Sequence, residues 1–191
     1  ELFGRDQQSG ILPLYFSRAV GRLDYALARF LGLYVSLLVL VLVPFLVLFI
    51  GRVLVAPSLV DGLVDELPSL PPSIALALIV PGLVGGISSA VSSFTPRRSY
   101  ATVAIIAVFL ISNVAASMVV FLDVGVVRQL AAVLSPPDVL DGLNAFLFDV
   151  RPENVVVRRA ALDGWVYLVA SVAWIGGSLA LLGHRYRRMA L

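Results

Sequence analysis

Apart from a single histidine, His184, arginine is the only basic side chain in this sequence: all fourteen Lys+Arg positions are arginine. Arg18 and Arg22 stand one helical turn apart, just behind the aromatic pair Tyr15-Phe16, in the segment Gly10-Ile-Leu-Pro-Leu-Tyr-Phe-Ser-Arg-Ala-Val-Gly-Arg22. A guanidinium pairs bidentately with carboxylate or phosphate, and neighbouring aromatics supply apolar anchors. Pro13 suits a first helical turn, where its missing N–H is not needed. Leu12, Phe16, Val20, Leu23 and Leu27 then share one face, while Asp6, Ser9, Ser17 and Asp24 add polar contacts. Two chemistries fit. One is an interfacial helix whose arginines reach lipid phosphates. The other is a helix docked on a partner, with Tyr15 and Phe16 buried and the arginines on its carboxylates.

Other polar groups lie inside apolar sequence. Gly82-Leu-Val-Gly-Gly86 leads into Ser88, Ser89, Ser92 and Ser93. Gly82 and Gly86 make a G-x-x-x-G pair with Ala90 on the same face, a spacing that lets helices approach closely. Ser89 and Ser93 either line a transport path or bond their own helix backbone, the commoner use. Ser112-Asn113 is a polar pair expected at mid-membrane, and Asn113 is either a substrate contact or an interhelical hydrogen bond. Gly176-Gly177 has the spacing of a further helix-packing site, Arg52 is placed to snorkel, and His184 to sit solvated at an interface.

Much chemistry is excluded. With no cysteine and one histidine, thiolate and multi-histidine metal sites are ruled out. No G-x-x-x-x-G-K-[ST] phosphate loop is present, so ATP is not bound by this chain. No H-E-x-x-H and no paired intramembrane aspartates point to a protease, and no carboxylate falls in the core of a span, as an ion-coupled carrier generally needs.

The elements that hold these residues are membrane helices. The chain of 191 residues is 60% apolar and 14% charged, against about 25% charged in soluble domains. Four spans are expected, over 30–50 (with a kink at Pro44), 74–93, 100–122 and 165–182, after a cytosolic segment 1–29. Pro71-Pro72 and Pro96 punctuate the second. With the N-terminus inside, nine of the fourteen arginines fall on the cytosolic side, and both ends of the chain are cytosolic. Asp61, Asp65 and Glu66 then form an outer loop. The outer connection 123–163 contains Ser135-Pro136-Pro137, then Val139, Leu140, Leu143, Phe146, Leu147 and Val150 at helical spacing. This predicts an extracytoplasmic amphipathic helix over 138–150, with Asp138, Asp141, Asn144 and Asp149 on its polar face and Leu143, Phe146 and Leu147 buried against the bundle or in the outer interface. A second short helix is expected over 124–134. The fold class is an all-α polytopic transmembrane bundle.

Gly10–Tyr25 resembles the cytosolic segment before the third span of the type-2 ATP-binding-cassette (ABC-2 type) permease family, G-x-L-x-x-L/Y-x-S-R-P-V-S-R-x-x-Y. Ala19 and Gly21 depart from it, standing where the family usually has proline and serine. Ser92–Ala101 resembles the inner loop between the fourth and fifth family spans, Leu134-Ser-Pro136 the break after the fifth, and Arg185–Arg188 the basic end after the last. The family has six spans, so the first two are expected before Glu1.

The resemblance implies a dimer with a second permease subunit, identical or not, and two ABC ATPase subunits that carry ATP and Mg; this chain holds no cofactor. ATP-driven closure of those subunits would push a coupling helix at about Gly10–Arg22, contacting it through Leu12, Tyr15, Phe16, Ser17, Arg18 and Arg22, and substrate would be exported. The expected location is the inner (plasma) membrane, with no nucleic-acid partner, because the arginines sit at membrane edges. The alternative is a membrane-embedded enzyme or assembly subunit without a transport role.

Overall fold

The computed structural model describes residues 22–95, 97–122 and 124–188. Among them the chain forms eight α-helices, one 3-10 turn and no strand. The expected coupling residues Leu12, Tyr15, Phe16, Ser17 and Arg18 lie outside the described residues, and Arg22 opens the first helix.

Helix α1, Arg22–Val55, is 34 residues long. At about 1.5 Å per residue it measures roughly 50 Å, well beyond the ~30 Å hydrocarbon core. It continues through Pro44 and ends before Ala56-Pro57. Helix α2, Leu59–Glu66, replaces the loop expected there. Ser58 caps it by accepting from the Asp61 N–H at 3.1 Å. The turn back onto α1 is tight: a Cβ on Gly62 would meet Val53 O at 2.7 Å and Ala56 Cβ at 2.8 Å, so only glycine fits. The 3-10 turn Leu67–Ser69 runs into α3, Leu70–Phe94, with Pro71-Pro72 inside its first turn rather than ahead of it. Helix α4 spans Arg98–Val119. Three shorter helices follow, α5 (Gly125–Leu134), α6 (Pro136–Phe148) and α7 (Val155–Ala160). Helix α8, Gly164–Arg188, closes the bundle.

Among the described residues, four helical stretches are long and apolar enough to cross a membrane: Leu23–Val55, Leu59–Phe94, Ser99–Val119 and Gly164–Arg187. Successive ones run antiparallel, which gives the bundle two distinct ends. One carries Arg97, Arg185 and Arg187. The other is capped by α2 and by α5 to α7. Helix α3 lies at the centre, packed on α1, α8, α4 and α6. Its buried face is mostly small: Ser73, Ala77, Gly82, Gly85, Gly86, Ser89, Ala90, Ser92 and Ser93. Large apolar side chains on α1 and α4 point outward instead, as a lipid solvent permits.

Helix α6 forms where expected, with Leu143 fully buried, and departs from the expected pattern at Asp138. Its buried residues include Asp138, Val139, Gly142, Leu143 and Ala145, while Phe146 is 46% exposed and Leu147 half-buried. Gly142 and Ala145 share the inward face with Val139 and Leu143, and Gly142 sets how closely α8 approaches. A Cβ on Gly142 would meet the Tyr167 ring at 2.5 Å. Asp138, expected on the polar face turned outward, is fully buried.

Candidate functional site

Three groups of residues carry the polar and close-packed features of the bundle. The first is the small-residue face of α3. A Cβ at Gly82 would lie 3.0 Å from Ile175 Cδ1 and one at Gly86 3.3 Å from Ser178 Cβ, so both glycines face α8. Gly85 faces α1, with Leu37 Cδ1 at 3.4 Å. Ser93 Oγ donates to Ala90 O at 2.7 Å, within its own helix. Ser89 is also buried, but its hydroxyl has no hydrogen-bond partner among the described residues. At Gly176 and Gly177, expected as a packing site, no described residue lies within 4 Å of an added Cβ. They sit on the side of α8 turned away from α3.

The second group is a polar cluster at the capped end. Asn113 stands about 9 Å, six residues, from the end of α4 and closer than that to the helix midpoint. Its Nδ2 donates to Asp138 Oδ1 on α6 at 3.3 Å. Asn154 Nδ2 donates to the same oxygen at 2.5 Å. The Asn154 amide is oriented by its own oxygen, which accepts the Val156 N–H at 2.9 Å and so caps α7. The Asn154 backbone N–H donates to Asp141 Oδ2 at 3.1 Å. One carboxylate oxygen thus ties α4, α6 and α7 together. The other, Asp138 Oδ2, is buried without a partner, as is Ser135 Oγ. Burial is the main influence on Asp138 and raises its carboxyl above the ordinary carboxylate value. The Ser135 hydroxyl, near it but outside hydrogen-bonding geometry, lowers it; the charge of Asp141 raises it; the Asn154 N–H lowers it.

The sequence gives little sign of this cluster. Asp138, Asn113 and Asn154 are scattered over three helices, and Asp138 in a first helical turn resembles any dipole-facing aspartate. The one available signal was Gly142, one turn on from Asp138, which marks the side of closest approach.

The third group lies at the arginine end, where α1 begins. Tyr25, Ala26 and Phe30 of α1 are buried against Leu182 and Tyr186 of α8. The Tyr25 and Tyr186 rings sit 6.0 Å apart, and the Arg29 guanidinium lies 5.5 Å over the Tyr25 ring. Arg185 lies 5.5 Å over Phe94, joining the ends of α8 and α3. Farther along α1, Tyr34 OH donates to Leu78 O of α3 at 3.1 Å. His184 is exposed at this end of α8. Arg52, at the opposite end of α1, does more than snorkel, since its Nη1 meets Glu66 Oε2 at 3.4 Å.

No group of three or more His, Cys, Asp or Glu among the described residues is arranged to hold a metal ion. A bundle of membrane-length helices, close-packed through small residues and tied at its arginine end by aromatic–arginine contacts, defines a multi-pass membrane protein. The chain belongs to the ABC-2 transporter family: the family described as ABC-2 family transporter protein matches residues 2–191. It is therefore a membrane permease component of an ABC transporter, whose ATPase is a separate partner subunit. No curated protein and no solved structure matches the chain.

Proposed function

We propose that this chain is the permease subunit of an ATP-driven exporter, working as a dimer with a second permease and two ATPase subunits that bind ATP and Mg. Both ends of the chain are cytosolic in this reading, and the arginine end of the bundle faces the cytosol of a cell with an inner membrane. The observation that carries it is the lock between the start of α1 and the end of α8. The docking segment Gly10–Arg22 leads directly into α1, whose first turns are clamped to α8 and, at Tyr34, bonded to α3. A push delivered before Arg22 then acts on three spanning helices rather than on a free end. Leu12, Tyr15 and Phe16 supply the apolar anchor, with Ser17, Arg18 and Arg22 meeting polar and acidic groups of the ATPase.

The test is copurification of the ATPase with the full chain and with Phe16→Ala. Loss of a docking anchor weakens association by about 2 kcal/mol or more, roughly a thirtyfold rise in Kd. Arg18→Ala should lose substrate-coupled ATP hydrolysis while inserting normally. If both variants bind the ATPase and export as wild type does, the segment is only an interfacial anchor and the coupling proposal fails.

A further inference from the structure

The geometry points to a proton-binding site at Asp138: in the folded protein its carboxyl carries a proton on Oδ2, and release of that proton is linked to withdrawal of α6 from α4 and α7. The two oxygens of this group live in different surroundings. Oδ1 accepts from Asn113 and Asn154, which suits either protonation state. Oδ2 is enclosed with no donor in hydrogen-bonding geometry among the described residues, the Ser135 hydroxyl lying near it. A charge shared over the two oxygens is held by the two amides on Oδ1 but is cut off from solvent at Oδ2, whereas a hydroxyl at Oδ2 leaves the group neutral. Buried apolar side chains lie on the same helices: Val139 and Leu143 on α6, Ala116 and Val120 on α4, and Val156 on α7.

The charged and titratable groups on the surrounding helices do not offset a negative Asp138. Asp141, one turn along α6, is another carboxylate and repels it. From α8 the facing titratable group is Tyr167, which is buried with its hydroxyl unpartnered. The arginines of α7, Arg158 and Arg159, are exposed, and Arg159 lies 4.8 Å over the Phe121 ring. Arg128 of α5 is half-buried and makes no ion pair with Asp138; α3 and α4 present hydroxyls and the Asn113 amide.

A metal cation is a poor occupant. Two amide N–H groups point at the carboxyl, and that of Asn154 cannot turn over without giving up its cap on Val156. Donors aimed into a site favour an anion or a neutral acid, not a cation. When the proton leaves, the charge that the two amides do not offset is relieved by meeting water, which requires the first turn of α6 to move off the α4–α7 junction. The proton passes to solvent at the capped end, and no other bond changes. Burial also raises the carboxyl above its ordinary range, in agreement with the geometry.

Infrared spectroscopy of the complete protein in lipid tests this. At about pH 7 an ordinary aspartate, with a pKa near 4, is fully ionised. The wild type should nevertheless show the carbonyl stretch of a protonated carboxyl, retained in Asp141→Asn and lost in Asp138→Asn. Because a raised folded-state pKa stabilises only below it, the melting temperature of the wild type should fall as pH rises through the titration of that band. Asp138→Asn, neutral at every pH, should remove that fall. Absence of the band in the wild type, or its survival in folded Asp138→Asn, overturns the assignment. So does a sodium- or calcium-dependent rise in melting temperature that Asp138→Asn abolishes, which would mark a cation site instead. Should Asp138→Asn not fold, the pH titration of the band in the wild type and in Asp141→Asn decides the matter alone.

Discussion

Gly142→Ala is the sharpest test of how the cap is built. The added Cβ would lie 2.5, 2.6 and 2.7 Å from three atoms of the Tyr167 ring. Carbon atoms prefer about 3.5–4.0 Å, so the overlap is close to 1 Å. The ring cannot swing aside, because Tyr167 is 2% exposed and packed with Leu143, Val156 and Ala160. Overpacking of this kind costs about 1–3 kcal/mol. Alanine in a helix interior returns up to about 1 kcal/mol over glycine. The net expectation is a loss of roughly 1–2 kcal/mol, or a fall of about 2–8 °C in melting temperature for a chain of this size. Gly176→Ala is the matched control. Its Cβ meets nothing within 4 Å, so the propensity gain stands alone and stability should hold or rise. Thermal unfolding of the detergent-solubilised protein, read by loss of the monodisperse peak, measures both. Combining Gly142→Ala with Tyr167→Leu should give less than the sum of the two single losses, since the smaller side chain relieves the overlap. Equal stability of Gly142→Ala and wild type, or additivity in the double variant, would refute the close approach of α6 to α8.

Three further outcomes follow from the same geometry. Leu143→Ala, at a fully buried position, should cost about 2–5 kcal/mol in the same unfolding assay, whereas Phe146→Ala, half-open to its surroundings, should cost less. Glu66→Gln removes one partner of an ion pair whose arginine side chain is 66% exposed, so stability should change by no more than about 1 kcal/mol. For orientation, single Ser99→Cys and Asp65→Cys variants have no cysteine background; an impermeant thiol reagent on intact cells should label Asp65→Cys only, and labelling of Ser99→Cys alone would invert the proposed topology.

The sequence by itself determined the class of the protein. Runs of about twenty apolar residues with arginines at their edges can be satisfied only by membrane helices, since backbone groups in lipid must bond internally. It also determined the order of elements, including a helix after Ser135-Pro136-Pro137, because prolines there open a first turn and can do little else. The family was legible in the same way, from the order of short motifs along the chain. The inward face of α3 was legible from the Gly82–Gly86–Ala90 spacing, whereas that of α6 was not. In water the bulky apolar side chains go to the core and the charged ones to the surface, and a pattern rule built on that placed Asp138 outside. A bundle in lipid gains nothing by hiding leucine, so Gly142, Gly82 and Gly86 mark the contacts while Leu40, Val47 and Leu110 face out. Tertiary structure alone decided that Asn113, Asp138 and Asn154 meet. The three lie on different helices, 25 and 16 residues apart, and each is an unremarkable polar residue in its own segment. Only the folded arrangement removes one oxygen of Asp138 from water and leaves it without a donor, and that is a property of the enclosure rather than of any residue in it.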